Sequence, residues 1–152
     1  MPSLFMNSAS KDGIILRISA IQEDTQAQWG TMNAPRAVAH LLHSLKVPLG
    51  EASTEYHGNF FKKNVMRFLA FHTPMPWPKG KIPTAPGYEV DPEGSFEEQK
   101  KNLVAAVEKF VQLSESEPER EVLHPNFGVR KLAYWQRLNG RHFEHHLNQF
   151  GV

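Results

Sequence analysis

Histidine is concentrated near the C-terminal end of this sequence. Eight histidines occur among 152 residues, and His142, His145 and His146 all fall within the last eleven. Imidazole is an acid or base near neutral pH and, when neutral, the commonest protein ligand of metal ions. The chain has no cysteine, which excludes disulfides, thiolate catalysis by the protein and cysteine-based zinc or iron–sulfur sites. Any reactive site must therefore depend on other residues, histidine first among them.

The spacing of His142 and His146 places both side chains on one face of a helix. At about 100° per residue, the two lie in the middle of the apolar half of a helix predicted over about 130–149. Residues at i and i+4 bring their rings side by side. A buried imidazole needs a hydrogen-bond partner or a metal, because an unsatisfied buried polar group costs about 1–3 kcal/mol. The pair alone fits two metal ligands and two internally paired core histidines equally well.

A third ligand is available from another predicted helix. His40 lies about 60° from Ala37, at the border of the apolar face, and His43 lies about 60° farther toward solvent. His40 is therefore the better candidate. Three histidines from two helices would leave open coordination positions, as in reactive rather than structural metal sites. Imidazole ligands suit zinc, nickel, copper and iron, so the identity of the divalent ion stays open.

A zinc-protease site of the H-E-x-x-H type is disfavoured. That motif needs a glutamate directly after the first histidine as general base, and Phe143 occupies this position. The nearby Glu144 points about 160° away from His146 on the helical wheel.

The apolar spacing predicts five helices and no strands, which is an all-α bundle. Asn33 before Ala34-Pro35 is a predicted N-cap, and Ser95 with Glu98 fits a capping box. The fifth helix lacks a Ser, Thr, Asp or Asn directly before it, so its start is the least supported. The predicted helices cover about 8–22, 34–47, 60–73, 96–114 and 130–149.

One long segment, residues 73–94, is predicted to be irregular. It contains six prolines and three glycines, and prolines so dense exclude a helix interior. Loops longer than about 12–15 residues are usually functional or disordered. Trp77, Ile82 and Tyr88 could pack against the core, which favours an ordered flap over a solvated connector.

Length and charge limit the remaining possibilities. A chain of 152 residues fits a single domain over 1–152. The formal charge of +1 offers no basic excess for nucleic acid. No secretory signal and no membrane-spanning apolar run are visible, so we expect no membrane association and a cytoplasmic location.

Several short motifs resemble those of the DinB/YfiT-like family, a family of unknown function. The resemblance extends from about residue 14 to the C-terminus, and the histidine-rich end is its specific part. A departure is Lys131, which stands where a Ser or Thr helix cap is expected. The motifs are Trp29-Gly30-x-Met32, Ala39-His40-Leu41, His124-Pro125-x-Phe127-Gly128, Trp135 and Arg141-His142-x-x-His145-His146-Leu147-x-Gln149-Phe150-Gly151.

The resemblance implies a DinB-like four-helix bundle, here with an additional helix and the long proline-rich loop, and often a homodimer. It also implies a divalent metal on three histidines, which by position are His40, His142 and His146. The helical wheels select the same three. Some relatives in this superfamily are thiol-dependent S-transferases or isomerases, and others have no demonstrated activity. The superfamily name implies no contact with DNA.

The leading hypothesis is a metal-dependent transferase or hydrolase. The ion would activate water or a thiol, and a small-molecule substrate would enter beneath residues 73–94. Gln149 is a candidate for orienting a ligand or water, although it could equally be a polar residue at the rim of the core. His145 could act beside the metal ligands, but a rim position is favoured. His124 could be an acid or base at the mouth of the site, but capping the turn before the last helix is favoured.

Two other hypotheses remain. The first is a non-catalytic, dimeric bundle that binds a metal or ligand through the same histidines. The second is a plain bundle without metal, in which the histidines pair internally. The absence of an obvious fourth protein ligand favours the enzyme, because structural zinc is usually bound by four. Glu51 or Glu55 could still fold toward the site and supply that ligand.

Overall fold

Helices account for most of the regular structure in the computed structural model, which describes residues 5–152. The helices are α1 (Lys11–Ala20), α2 (Ala34–Lys46), a π-helical segment (Phe61–Met66) that continues directly into α3 (Arg67–Phe71), α4 (Phe96–Ser116) and α5 (Leu132–Gln149). Two strands, β1 (Glu121–His124) and β2 (Gly128–Lys131), lie between α4 and α5. Within residues 5–152, no helix has both the length and the hydropathy to cross a bilayer.

The predicted helix caps are confirmed. The Asn33 side chain accepts a hydrogen bond from the backbone N–H of Arg36 at 2.9 Å, and Ser95 Oγ accepts one from Glu98 N–H at 3.1 Å. Each side chain satisfies an N–H group that has no partner within the helix. These two caps fix where α2 and α4 begin, and α2 carries the first of the three candidate ligands.

The expectation of an all-α fold is wrong in one detail, the antiparallel pairing of β1 and β2. Glu121 pairs with Lys131, and His124 pairs with Gly128, whose φ of +77° suits glycine at the turn. The strands have only four residues each, and their sequences, EVLH and GVRK, do not alternate apolar and polar residues. The period-two pattern that reveals longer strands is therefore missing.

The hairpin also explains the start of α5. The helix begins at Leu132 and not near residue 130, because the preceding residues belong to β2. No side chain caps it. Instead, the backbone N–H groups of Leu132 and Ala133 donate to the carbonyl oxygens of Arg120 (2.8 Å) and Pro118 (3.0 Å). Backbone groups of the α4–β1 connection thus replace the expected Ser or Thr cap.

The four longest helices, α1, α2, α4 and α5, pack against one another around the core. Fully buried side chains from all four fill the space between them. Contact between α2 and α5 brings the histidines of the two helices to the same side of this core. The largest buried core residues on these helices are Ile18, Val38, Leu41, Leu45, Leu103, Phe110, Leu132, Trp135, Phe143 and Leu147.

Residues 59–94 behave differently from this core. The predicted third helix forms, but Phe60, Phe61 and Phe68 are 79%, 56% and 55% exposed. Residues 73–94 are irregular, and two aromatic side chains help to anchor them. The Trp77 Nε1–H group donates to the Ala70 carbonyl oxygen at 2.9 Å, and Tyr88 is buried. We refer to residues 61–94, which include the π-helical segment, α3 and the irregular segment, as the cover, and to α2 and α5 as the helical wall.

Candidate metal centre

Three histidine rings meet where α2 and α5 pack together. One ring nitrogen each of His40, His142 and His146 lies within 4.8 Å of the others. All three pairs of ring centroids are 4.8 Å apart. The Nε2 atoms of His40 and His142 are 2.9 Å apart. These are the three residues selected from the sequence, and the helical period explains the choice, because residues 142 and 146 share one face of α5.

Hydrogen bonds to Nδ1 fix the tautomer of two of these rings. His40 Nδ1–H donates to the Tyr88 carbonyl oxygen at 2.8 Å. His146 Nδ1–H donates a hydrogen bond to Gln149 Oε1 at 2.8 Å. In a neutral imidazole one nitrogen carries the proton and the other a lone pair. Nε2 of both rings therefore presents a lone pair, as in the ligand arrangement of many metal sites.

Gln149 is itself held in one orientation. Its Nε2 donates to the Trp29 carbonyl oxygen at 3.0 Å, which leaves Oε1 to accept from His146. Gly30 lies against the same amide with a φ of +80°, and a Cβ there would be 2.9 Å from Gln149 Nε2. The turn after Trp29 therefore needs glycine. Gln149 orients a ligand residue and is not placed among the residues that line the cavity described below.

Burial keeps the three rings neutral. It lowers the pKa of His40 and, to about 3, that of His146. The pKa of His142 is lowered well below its ordinary value, first by burial and then by the neighbouring His146 and His40. Neutral imidazole is the form that binds a metal ion. The site is therefore in its ligand form at neutral pH.

The donor set fits a divalent ion bound by nitrogen. Two nitrogens on a tetrahedral zinc ion are about 3.3 Å apart, so small ring movements would suffice to bind an ion. Without a metal, His142 Nε2–H could instead donate to His40 Nε2 across the observed 2.9 Å. Glu51 and Glu55 are exposed and do not join the cluster, so no fourth protein ligand is found within residues 5–152.

A cavity of about 420 Å³ opens beside the three rings. Its lining is mainly apolar and comes from the helical wall, the hairpin and the cover. Residues 82–86 of the irregular segment form one side of it. The aromatic and large apolar residues of the lining are Met66, Phe71, Trp77, Ile82, Tyr88, Phe127, Trp135 and Leu138. A ligand in this cavity would rest mainly on apolar side chains.

His124 also lines the cavity, but it is fixed by the hairpin. Its Nδ1 accepts hydrogen bonds from the backbone N–H groups of Asn126 (3.1 Å) and Phe127 (3.2 Å), and its ring stacks on Phe127 with centroids 4.5 Å apart. Burial, together with the charge of Arg130, lowers the pKa of His124 to about 3. The expected role in capping the turn is present, and the low pKa disfavours a role as base near neutral pH.

His145 lies at the edge of the cavity between two tryptophans. Its ring centroid is 5.7 Å from that of Trp29 and 5.3 Å from that of Trp77. Burial lowers its pKa, with a further contribution from Arg141. The ring is partly exposed and outside the group of three, which agrees with the expected rim position.

Sequence reasoning missed two structural features of this site. The Tyr88 backbone carbonyl orients His40, but a backbone atom leaves no signal in the sequence. Asn139 is buried in the cavity wall, and here a signal exists. It stands one turn before His142 on the face of α5 that carries both ligand residues.

Comparison with known proteins identifies no relative of this chain, because no family model matches it and searches of curated proteins and solved structures give no significant match. The functional argument therefore depends on the geometry of the site and on the motif residues.

Proposed function

We propose that His40, His142 and His146 bind a divalent metal ion with open coordination positions facing the cavity, and that the protein is a metal-dependent thiol S-transferase or hydrolase. The observation that carries this proposal is the convergence of the three rings beside an apolar cavity, with Nδ1 of two of them already engaged. Zinc, nickel and iron all fit this donor set.

The residues of the chain have distinct tasks in this proposal. The Tyr88 carbonyl and Gln149 hold two rings so that Nε2 points toward the shared centre. The apolar lining would pack against the apolar part of a substrate. The bound ion would supply the remaining chemistry, since it lowers the pKa of a bound water or thiol toward neutrality. Nothing in this assignment requires His124 or His145 to transfer a proton.

We also propose that the chain is a DinB-like protein, with α1, α2, α4 and α5 as the four-helix bundle and the segment with α3 as the additional helix. The motif residues and the mutual packing of those four helices support this. The resemblance directs the choice of substrates toward small-molecule thiols and their electrophilic acceptors.

Metal content tests the proposal directly. We would incubate the full chain with zinc or nickel, remove excess ion and measure bound metal by elemental analysis. Wild type should retain about one ion per chain, and His142→Ala should retain almost none. His145→Ala is the matched control on the same helix and should retain the ion. Circular dichroism checks folding, and His40→Asn is a second variant from the other helix.

Two outcomes would overturn the proposed metal site. One is a wild-type protein that holds no metal after incubation with either ion. The other is a folded His142→Ala protein that holds as much as wild type. If the metal is bound, thiol-transfer and ester-hydrolysis assays with loaded and chelator-treated protein separate an enzyme from a binding protein.

A second candidate is a non-catalytic homodimer that binds metal or ligand. The exposed apolar side chains near the start of the cover favour it, because six large ones fall within residues 60–69 and exposed apolar surface often marks an interface. Analytical ultracentrifugation of wild type and of Phe61→Ser with Phe68→Ser tests it. A dimer that dissociates in the double variant supports this candidate, and a wild-type monomer contradicts it.

A further inference from the structure

The amide of Asn139 is buried in the cavity wall without a hydrogen-bond partner. The residue is 2% exposed, and its Nδ2 has no acceptor. No hydrogen bond of either end of the amide is found within residues 5–152. A buried amide without a partner is unfavourable, whereas leucine, of similar volume, would avoid this cost. The Nδ2 atom itself is enclosed by the protein, whereas the amide oxygen, which also has no partner, is not fully enclosed, so a ligand in the cavity can supply a partner for that oxygen.

A second polar group faces the same cavity. Because His124 Nδ1 accepts from two backbone N–H groups, the ring proton resides on Nε2. That N–H has no acceptor within the described chain. The His124 ring lies 5.1 Å from the ring of Trp135, which stands one turn before Asn139 on α5. Both residues line the same cavity, and Trp135, which lies between them in the wall, also lines it.

The surroundings restrict the charge of the ligand. The cavity lining contains no aspartate or glutamate that could pair with a cation, and Lys62 is its only lysine or arginine. His124 supplies a donor. Rotation about χ2 of Asn139 exchanges its oxygen and nitrogen, so that side chain offers a donor or an acceptor. A neutral amide group can accept from His124 and either donate to or accept from Asn139. The rest of the lining suits an apolar ligand body.

We propose that Asn139 and His124 form a second subsite in this cavity, which binds the amide group of an otherwise apolar ligand that carries no positive charge. The position of this subsite beside His142 assigns the substrate class of the metal site, a small thiol that also carries an amide. This part of the inference rests on the proposed function. Recognition of the amide does not need the metal, so the amide subsite and the metal site can be disproved independently.

The test compares two probes of similar length on the cobalt-loaded full chain. N-acetylcysteamine carries a thiol and an amide, and 1-pentanethiol carries only the thiol. Binding of each is followed by the thiolate-to-cobalt charge-transfer absorption. In Asn139→Leu, the Kd of N-acetylcysteamine should rise about five- to tenfold, the effect of losing one hydrogen bond. The Kd of 1-pentanethiol should stay unchanged or fall. Asn102→Leu, exposed on α4, should alter neither.

The outcomes separate the subsite from the metal site. Suppose that cobalt and both thiols bind to wild type. If Asn139→Leu then changes both Kd values equally, or changes neither, the proposed subsite is wrong, but the metal site is still supported. If wild type does not bind cobalt, the proposed function fails. N-butylacetamide is then titrated into the metal-free protein, and the side-chain amide resonance of Asn139 is followed by NMR. Saturable movement of that resonance supports the subsite, and an unchanged resonance overturns it.

Discussion

The helical wall and the cover enclose one cavity, but they are built in opposite ways. Phe143 and Leu138 on α5 are 0% and 3% exposed, whereas Phe68 on α3 is 55% exposed. The helical wall carries all three candidate ligands on regular, close-packed helices. The cover contributes prolines, aromatic side chains and one backbone carbonyl. The metal ligands therefore lie on rigid helices that hold them in a defined geometry, whereas the cavity is covered by a segment with few buried side chains.

The largest contrast should appear when the same residue type is truncated on each side. Phe143→Ala removes a fully buried ring and leaves a cavity, so we expect a loss of about 3–5 kcal/mol in the free energy of unfolding. Phe68→Ala removes a mostly exposed ring and should change that free energy by about 0.5 kcal/mol or less. Urea denaturation of the metal-free variants measures both. Similar losses at the two positions would contradict the division into wall and cover.

Buried and exposed histidines should differ in their effect on acid stability. The pKa of His124 is about 3 in the folded protein, below its ordinary value of 6.5. Between these values the unfolded chain binds a proton that the folded chain does not. Stability is therefore lost as pH falls below about 6.5, with a limiting slope of about 1.4 kcal/mol per pH unit for this group.

The variant His124→Asn isolates this contribution, because the asparagine oxygen can still accept the turn N–H bonds. Between pH 7 and pH 5 it should lose about 2 kcal/mol less stability than wild type. His72→Asn is the control from the cover, where the imidazole is exposed and solvent screens its charge. Denaturant titrations at the two pH values supply the comparison. A pH dependence that is unchanged in His124→Asn would show that the folded protein accepts the proton.

The orientation of the ligands offers a sharper comparison, because each side of the cavity fixes one ring. The helical wall holds His146 through Gln149, and the cover holds His40 through a backbone carbonyl. Gln149→Leu should weaken zinc binding about 10–100-fold, as loss of a partner behind a metal-bound histidine typically does. Asn148→Ala, the adjacent position on the exposed face, should bind zinc as wild type does. Competition with a chromophoric chelator measures both affinities.

The sequence predicted the helical wall well, for physical reasons. Residues 142 and 146 share a face because the helix has a fixed period, and Asn33 and Ser95 are side chains with a local capping role. The hairpin was missed because its four-residue strands do not alternate apolar and polar residues. The Tyr88 carbonyl was missed because the backbone atom that orients His40 is common to every residue type. Only the long-range packing of residues 73–94 on α2 brings this carbonyl to His40.

The exposure of the predicted third helix could not be read from its residues either. Phe60, Phe61 and Phe68 have the apolar character of a core-facing helix, and the sequence does not say whether the rest of the chain covers them. In the structure, the rest of the described chain leaves these three side chains mostly exposed. Local pattern predicts that an element forms, whereas burial depends on the neighbours that the fold supplies.

The smallest effect should be confined to the cover. Trp77 anchors residues 73–94 by donating to the Ala70 carbonyl oxygen and by packing edge-on against Phe71, with ring centroids 5.3 Å apart. Trp77→Phe keeps an aromatic ring but removes the donor, at a cost of about 1 kcal/mol. If the cover opens independently of the core, amide hydrogen exchange should accelerate about fivefold in residues 73–94 and stay unchanged in α5. Equal acceleration in α5 would mean that the cover and the helical wall open together, and the segment could then not admit a ligand without loosening the histidines.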